Sequence, residues 1–250
     1  MSDSILEIGK AALETNEMKV KMLMNNIANA QTPGYKKSDI ITSSFPVMLE
    51  NAKRTLEERS ANLDAPKVVG TFNNFQGGAL YKTGSNTDLA IAGDGYFVLQ
   101  SEEGQLYTRD GRFFVNEEGV LVSASGNFPV MGQSGPISIP SGSKLEISKN
   151  GNIIVDDVQM DTIKVVKIKN PSSLVSLNNS LFKAPPEGIS YEEVLSPNIL
   201  TGFLESSNVS IINEMTNLIT TQRSYEIAAK IIKNREADMQ KIIEIGRPPQ

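Results

Sequence analysis

The chain has 250 residues, 24 of them Lys or Arg and 29 Asp or Glu, giving a formal net charge of −5, and it contains no His, Cys or Trp. Without Cys there is no disulfide framework, thiolate zinc site or cysteine nucleophile, and without His no Ser-His-Asp or Cys-His mechanism can be built. The acidic balance argues against a nucleic-acid partner, which requires a basic face. For an enzyme, only carboxylate, Lys or Tyr chemistry remains.

The pattern predicts a helix from about Ser4 to Ala30. Ser4 and Glu7 have capping-box spacing, and Leu6, Leu13, Val20 and Ile27 keep the seven-residue step of a coiled-coil seam. Glu14, Glu17, Lys19 and Lys21 break any apolar run of signal-peptide or membrane-span length, so neither a cleaved Sec signal nor membrane insertion is expected. Thr32-Pro33-Gly34 stops the helix. Residues 37–85, with Pro46 and Pro66, read as an extended connector.

From about Val68 to Ile168 the sequence turns β. Glycine-bearing turn signals, such as Glu102-Glu103-Gly104 and Asn150-Gly151-Asn152, recur between short runs like Tyr96-Phe97-Val98-Leu99 and Ile163-Lys164-Val165-Val166. That spacing predicts antiparallel hairpins in a sandwich or small irregular barrel, with the domain itself at 86–170. Residues 171–205 read as a returning connector. From Asn208 to Ile245 there is neither Gly nor Pro, and Gly246 with Pro248-Pro249 closes the run. This last helix would be on the order of 55 Å long, more than one small domain can cover. The expected fold class is therefore α+β, an antiparallel β domain between long terminal helices that pair with each other.

Few residues offer chemistry. Asp88, Asp94 and Asp110 lie near glycines and Asp156-Asp157 form a pair, but without an EF-hand ladder these read as turns. A glycan hydrolase working through two of the three aspartates is the enzymatic alternative. Lys36-Lys37 reads as a solvated helix exit, and Phe97, Tyr107, Phe113, Phe114 and Phe128 as sheet core. Asn25, Asn26, Asn29 and Gln31 crowd the end of the first helix, where amides buried in a helix seam would fix its register. No metal or cofactor site emerges.

The stretch Met24-Asn25-Asn26-Ile27-Ala28-Asn29-Ala30-Gln31-Thr32-Pro33-Gly34-Tyr35-Lys36 resembles the N-terminal signature of the bacterial flagellar basal-body rod and hook proteins. Thr83 to Phe97 together with Tyr107-Thr108-Arg109-Asp110-Gly111 is similar to the central β signature of that family. Leu204-Glu205-Ser206-Ser207-Asn208-Val209, followed by Glu214-Met215 and Gln222 to Glu226, is similar to its C-terminal motif. The resemblance implies terminal helices paired as a coiled coil and packed with neighbouring subunits into a tube, with the β domain outside. It implies an axial basal-body subunit, exported through the flagellar type III apparatus, whose partners are other rod and axial proteins and copies of itself. The short stretch from Lys37 to Gly77 favours a proximal rod component over a distal one. The expected assembly contacts on the first helix are Ile5, Leu13, Val20, Met24, Asn26, Ile27 and Asn29. On the last helix they are Ile211, Met215, Leu218, Gln222, Tyr225, Ala229, Ile232 and Met239.

Overall fold

The computed structural model describes residues 2–42, 68–140, 142–178 and 180–245. Among them the fold is α+β, with two α-helices and antiparallel sheets. The long Gly- and Pro-free run becomes helix α2, Ile211–Ile245, and the N-terminal periodic run becomes α1, Ser2–Ala28. The backbone N–H of Glu214 donates to the Ser210 carbonyl at 3.0 Å to start α2.

The chain separates into two compact units. One gathers α1, α2 and the two-stranded ribbon of β1 (Ser38–Thr42) and β2 (Val68–Asn73). Within it α1 and α2 run antiparallel in contact: Asn26, near the end of α1, reaches Glu214 in the first turn of α2, while Gly9 faces Ile232.

The other unit holds residues 29–37 and 73–209. Its strands are β3 (Leu80–Lys82), β4 (Leu89–Ile91), β5 (Tyr96–Ser101), β6 (Gly104–Thr108), β7 (Phe113–Val115), β8 (Leu121–Ser123), β9 (Leu145–Ile147), β10 (Asn152–Val155), β11 (Val158–Thr162) and β12 (Val165–Ile168). The returning stretch adds β13 (Val175–Asn178), β14 (Leu181–Lys183), β15 (Tyr191–Glu193), β16 (Ile199–Thr201) and β17 (Phe203–Glu205). The main sheet is six-stranded in the order β13-β14-β6-β5-β12-β15, and smaller sheets of two or three strands surround it. Residues 171–205 therefore complete sheets as well as connect. Their Pro and polar content reads as loop, yet β14 and β16 are supplied with partners by β6 and β4.

Both faces of β5 are buried, which its unbroken apolar run requires. Phe97 and Leu99 enter one core with Leu121, Ile153, Ile163 and Ile199. Tyr96 and Val98 enter a second with Tyr107 and Phe182 on the opposite face. Phe97 stacks edge-on to Phe113 at 5.1 Å, whereas Phe114, one residue on, points outward. Part of the 37–85 stretch, residues 43–67, lies outside the described residues, as do the side chains of Ile5 and Met239.

Candidate functional site

In the β unit, three segments distant in sequence converge on one carboxylate. Residues 29–37 fold as a tight strap: Thr32 donates its N–H to the Asn29 carbonyl and its hydroxyl to Asn29 Oδ1, at 3.1 and 3.2 Å. Gly34 takes φ +69°, and its N–H donates to the Glu205 carbonyl at 2.8 Å. A Cβ at Gly34 would collide with the Arg109 and Asp110 backbone, so only glycine lets the strap lie this close. Gly111 is held the same way against the Leu89 carbonyl.

The strap delivers Lys36 to the interior. Its Nζ lies 2.5 Å from Glu205 Oε1 and donates to the Gln76 carbonyl at 2.9 Å. Arg109 reaches Glu205 Oε2 at 3.1 Å, donates to the carbonyls of Ile91 and Gly93, and sits 5.4 Å over the Tyr96 ring. The Gly78 N–H completes the shell of Glu205 Oε1 at 2.9 Å. Two cations thus share one carboxylate, and three carbonyls take the excess positive charge. Burial lowers the Lys36 pKa against the opposing pull of Glu205, and burial pushes the Tyr96 phenol up to about 12.

Lys36 is therefore no solvated helix exit; it is 2 % exposed. Nothing local in the sequence marks this, because its anion lies 169 positions away. Next to it, Asn208 accepts the Lys37 N–H at 2.7 Å and donates to the carbonyls of Asn74 and Gln76. The aspartates sort separately. Asp110 is buried and clasped by Arg112 through Nε and Nη2, with the Ser125 hydroxyl as a third donor. Exposed Asp94 pairs with Lys167 at 2.9 Å, which holds its carboxyl below the usual carboxylate range. Each carboxylate has its own cation, and the two do not form an open dyad.

In the helical unit, Asn26 and Glu214 are 0 % and 1 % exposed, and Leu23 and Thr221 are also buried. Leu13, Val20, Ile27, Leu218, Ala229 and Ile232 are half-buried, whereas Met24, Ile211, Met215, Gln222 and Tyr225 are exposed. Asn29 is buried in the strap turn rather than along a helix. The covered face of α2 thus follows Glu214, Leu218, Thr221, Ala228 and Ile232. Its 4-3 spacing differs in phase from the apolar series that starts at Ile211. Glu214 and Thr221 are polar, so an apolar series does not include them, although Glu214, Thr221 and Ala228 follow one another at seven-residue steps.

Family models match the chain in three blocks. Residues 6–36 match the flagella basal body rod protein model, 90–155 the flagellar hook protein FlgE/F/G D1 domain, and 200–245 the flagellar basal body rod FlgEFG protein C-terminal model. The flagellar basal-body rod protein FlgF of Caulobacter vibrioides is 34% identical over 235 residues, covering 93% of this chain and 93% of its own. The rod protein FlgG of Buchnera aphidicola from Acyrthosiphon pisum is 30% identical over 262 residues, covering 96% and 98%. FlgG of Bacillus subtilis is 27% identical over 257 residues, covering 96% and 97%. Fold and matches together define a structural subunit of the bacterial flagellum. The chain belongs to the flagellar basal-body rod protein family. Each matched block contributes one charge to the buried cluster: Lys36, Arg109 and Glu205 in turn.

Proposed function

We propose that this chain polymerises through its terminal helices into the torque-transmitting rod, α1 and α2 pairing as a coiled coil whose outer faces bury against neighbouring subunits. The observation that carries the reading is the outer face of α2. Ile212 is 78 % exposed and Ile219 54 %, with Met215, Ile227 and Ile231 more than half exposed as well. Along the same face Thr216, Thr220 and Ser224 donate their hydroxyls to carbonyls four residues back, at 2.9–3.0 Å. Their hydroxyls are turned into the helix, so their outer surface is mostly carbon. Arg223, Glu226 and Lys230 are the charged residues among these exposed isoleucines. A cluster of exposed large apolar residues marks a contact site. Contacts between unlike patches that do not close into a ring generate a helical assembly. Each buried methylene contributes about 0.8 kcal/mol, so many modest contacts summed along a rod suffice.

The partners are other rod and axial proteins and further copies of the chain, and the place is the basal body, reached through the flagellar type III apparatus. The short stretch between Lys37 and Gly77 favours a proximal over a distal position, and the role is structural rather than enzymatic. Ile219→Asp tests the reading. Motile cells carrying it should lose swimming and yield basal bodies without the subunit, while the purified variant keeps its β-sheet circular dichroism. Normal motility refutes it. Localising the subunit in a map of intact basal bodies decides proximal from distal.

A further inference from the structure

The geometry points to Asn26 and Glu214 as the lock that sets the register of the α1–α2 pair, a function separate from holding the helices together. The inference rests on the coiled-coil pairing proposed above.

Asn26 uses both N–H donors and the carbonyl oxygen of its amide. Its Oδ1 accepts the Ser38 N–H at 3.0 Å, and its Nδ2 donates to the Ser38 carbonyl at 2.8 Å and to Glu214 Oε2 at 3.1 Å. One side chain thereby ties the end of α1, the first residue of β1 and the first turn of α2. The acidic group suits that first turn, where the helix dipole favours negative charge. At the other end of the contact, Gly9 faces Ile232: a Cβ there would stand 2.9 Å from Ile232 Cγ1 and 3.1 Å from Cδ1. Gly in a helix interior is unfavourable, and here it leaves room for the isoleucine. The two contacts, one polar and one steric, specify the same alignment, which sets Leu13 level with Ala228.

A lock is needed because the rest of the seam does not choose. Helix α2 has 35 residues and α1 has 27, so sliding α1 by one heptad toward the C-terminal end of α2 loses almost no overlap. Leu13 and Val20, both half-buried, stand seven residues apart, so after a slip of one heptad Val20 takes the place of Leu13 against Ala228. Slipped, Ile232 would meet Asn16 instead of Gly9, Asn26 would lie against Gln222, and Glu214 would stand past the end of α1, so their hydrogen bond would be lost. A buried polar pair gives up pairing strength for a single alignment.

The absence of Cys from the chain makes the test clean, since every disulfide then reports an engineered pair. The full-length chain with Leu13→Cys and Ala228→Cys reports the observed alignment, and Leu13→Cys with Arg235→Cys reports the slipped one. After mild oxidation the first should give an intramolecular cross-link and the second none. If the first fails in the otherwise unaltered chain, the helix pairing itself falls. With Asn26→Leu and Glu214→Leu added, the slipped cross-link should rise at least tenfold. With Glu214→Gln, which keeps an acceptor for Asn26, only the first should form. A double-leucine chain that cross-links solely in the observed alignment, or in neither, overturns the lock, as does slippage in Glu214→Gln.

Discussion

The two units of this chain bury opposite kinds of residue. In the β unit the innermost positions are Phe97, Leu99, Leu121, Ile153, Ile163 and Ile199, all inaccessible, and the buried charges, the Glu205 cluster and Asp110, are paired with cations. Among the described residues of the helical unit the buried set is Leu23 with Asn26, Glu214 and Thr221, while seven large apolar residues of α2 are exposed. A unit with an apolar centre carries its own stability. A helix pair that hides polar groups and shows apolar ones gains its stability from what covers it.

Breaking the β unit at its charged centre should give the largest effect. Glu205→Ala leaves Lys36 and Arg109 buried without their anion, and chemical denaturation should show a loss of about 3–5 kcal/mol. A smaller loss by that measure would mean the three carbonyls hold the cations by themselves.

The contrast between the units is sharpest for one residue type placed in each. Ile153→Ala, in the β core, should cost about 2–5 kcal/mol, because it opens a cavity. Ile219→Ala, on the exposed face of α2, should change monomer stability by no more than about 0.5 kcal/mol while weakening incorporation into basal bodies. Equal effects on stability would erase the distinction drawn here.

The gentlest probe is pH. The unfolded chain keeps the Lys36 proton to higher pH than the fold does, so stability should rise as pH climbs toward 10. The folded Tyr96 keeps its proton to about 12 while the unfolded phenol releases it from 10, so stability should fall between those values. Denaturant midpoints across that range should therefore peak near pH 10. Tyr96→Phe should make the fall shallower, leaving the smaller share from Tyr107, and Lys36→Met should reduce the rise.

Much of this was readable in the residues. The helix at each end followed from heptad-type apolar spacing, with the absence of Gly and Pro marking α2, and the turn-punctuated middle announced antiparallel strands. The phase of the α2 seam was not readable: an apolar series through Ile211 and Met215 competes with one through Glu214 and Thr221, and counting apolar residues selects the wrong face. Asn26 was marked as an amide that could fix register, but its partner stands 188 positions away. The Glu205 cluster was hidden for the same reason. Its members lie in three recognisable motifs, and only the fold shows that the motifs touch.

The distance between Lys36 and Glu205 also sets a timetable. A ribosome has to add 169 more residues after Lys36 before the carboxylate that receives it exists. Strand β14, which pairs with β6 in the middle of the main sheet, and β16, which pairs with β4, are likewise made late. Between the addition of Arg109 and that of Glu205 the growing chain holds two cations with no anion between them and a main sheet still lacking strands at its edges. Closing so long a loop is slow and cannot begin early. The charged centre of the β unit is thus completed only once residue 205 has been added.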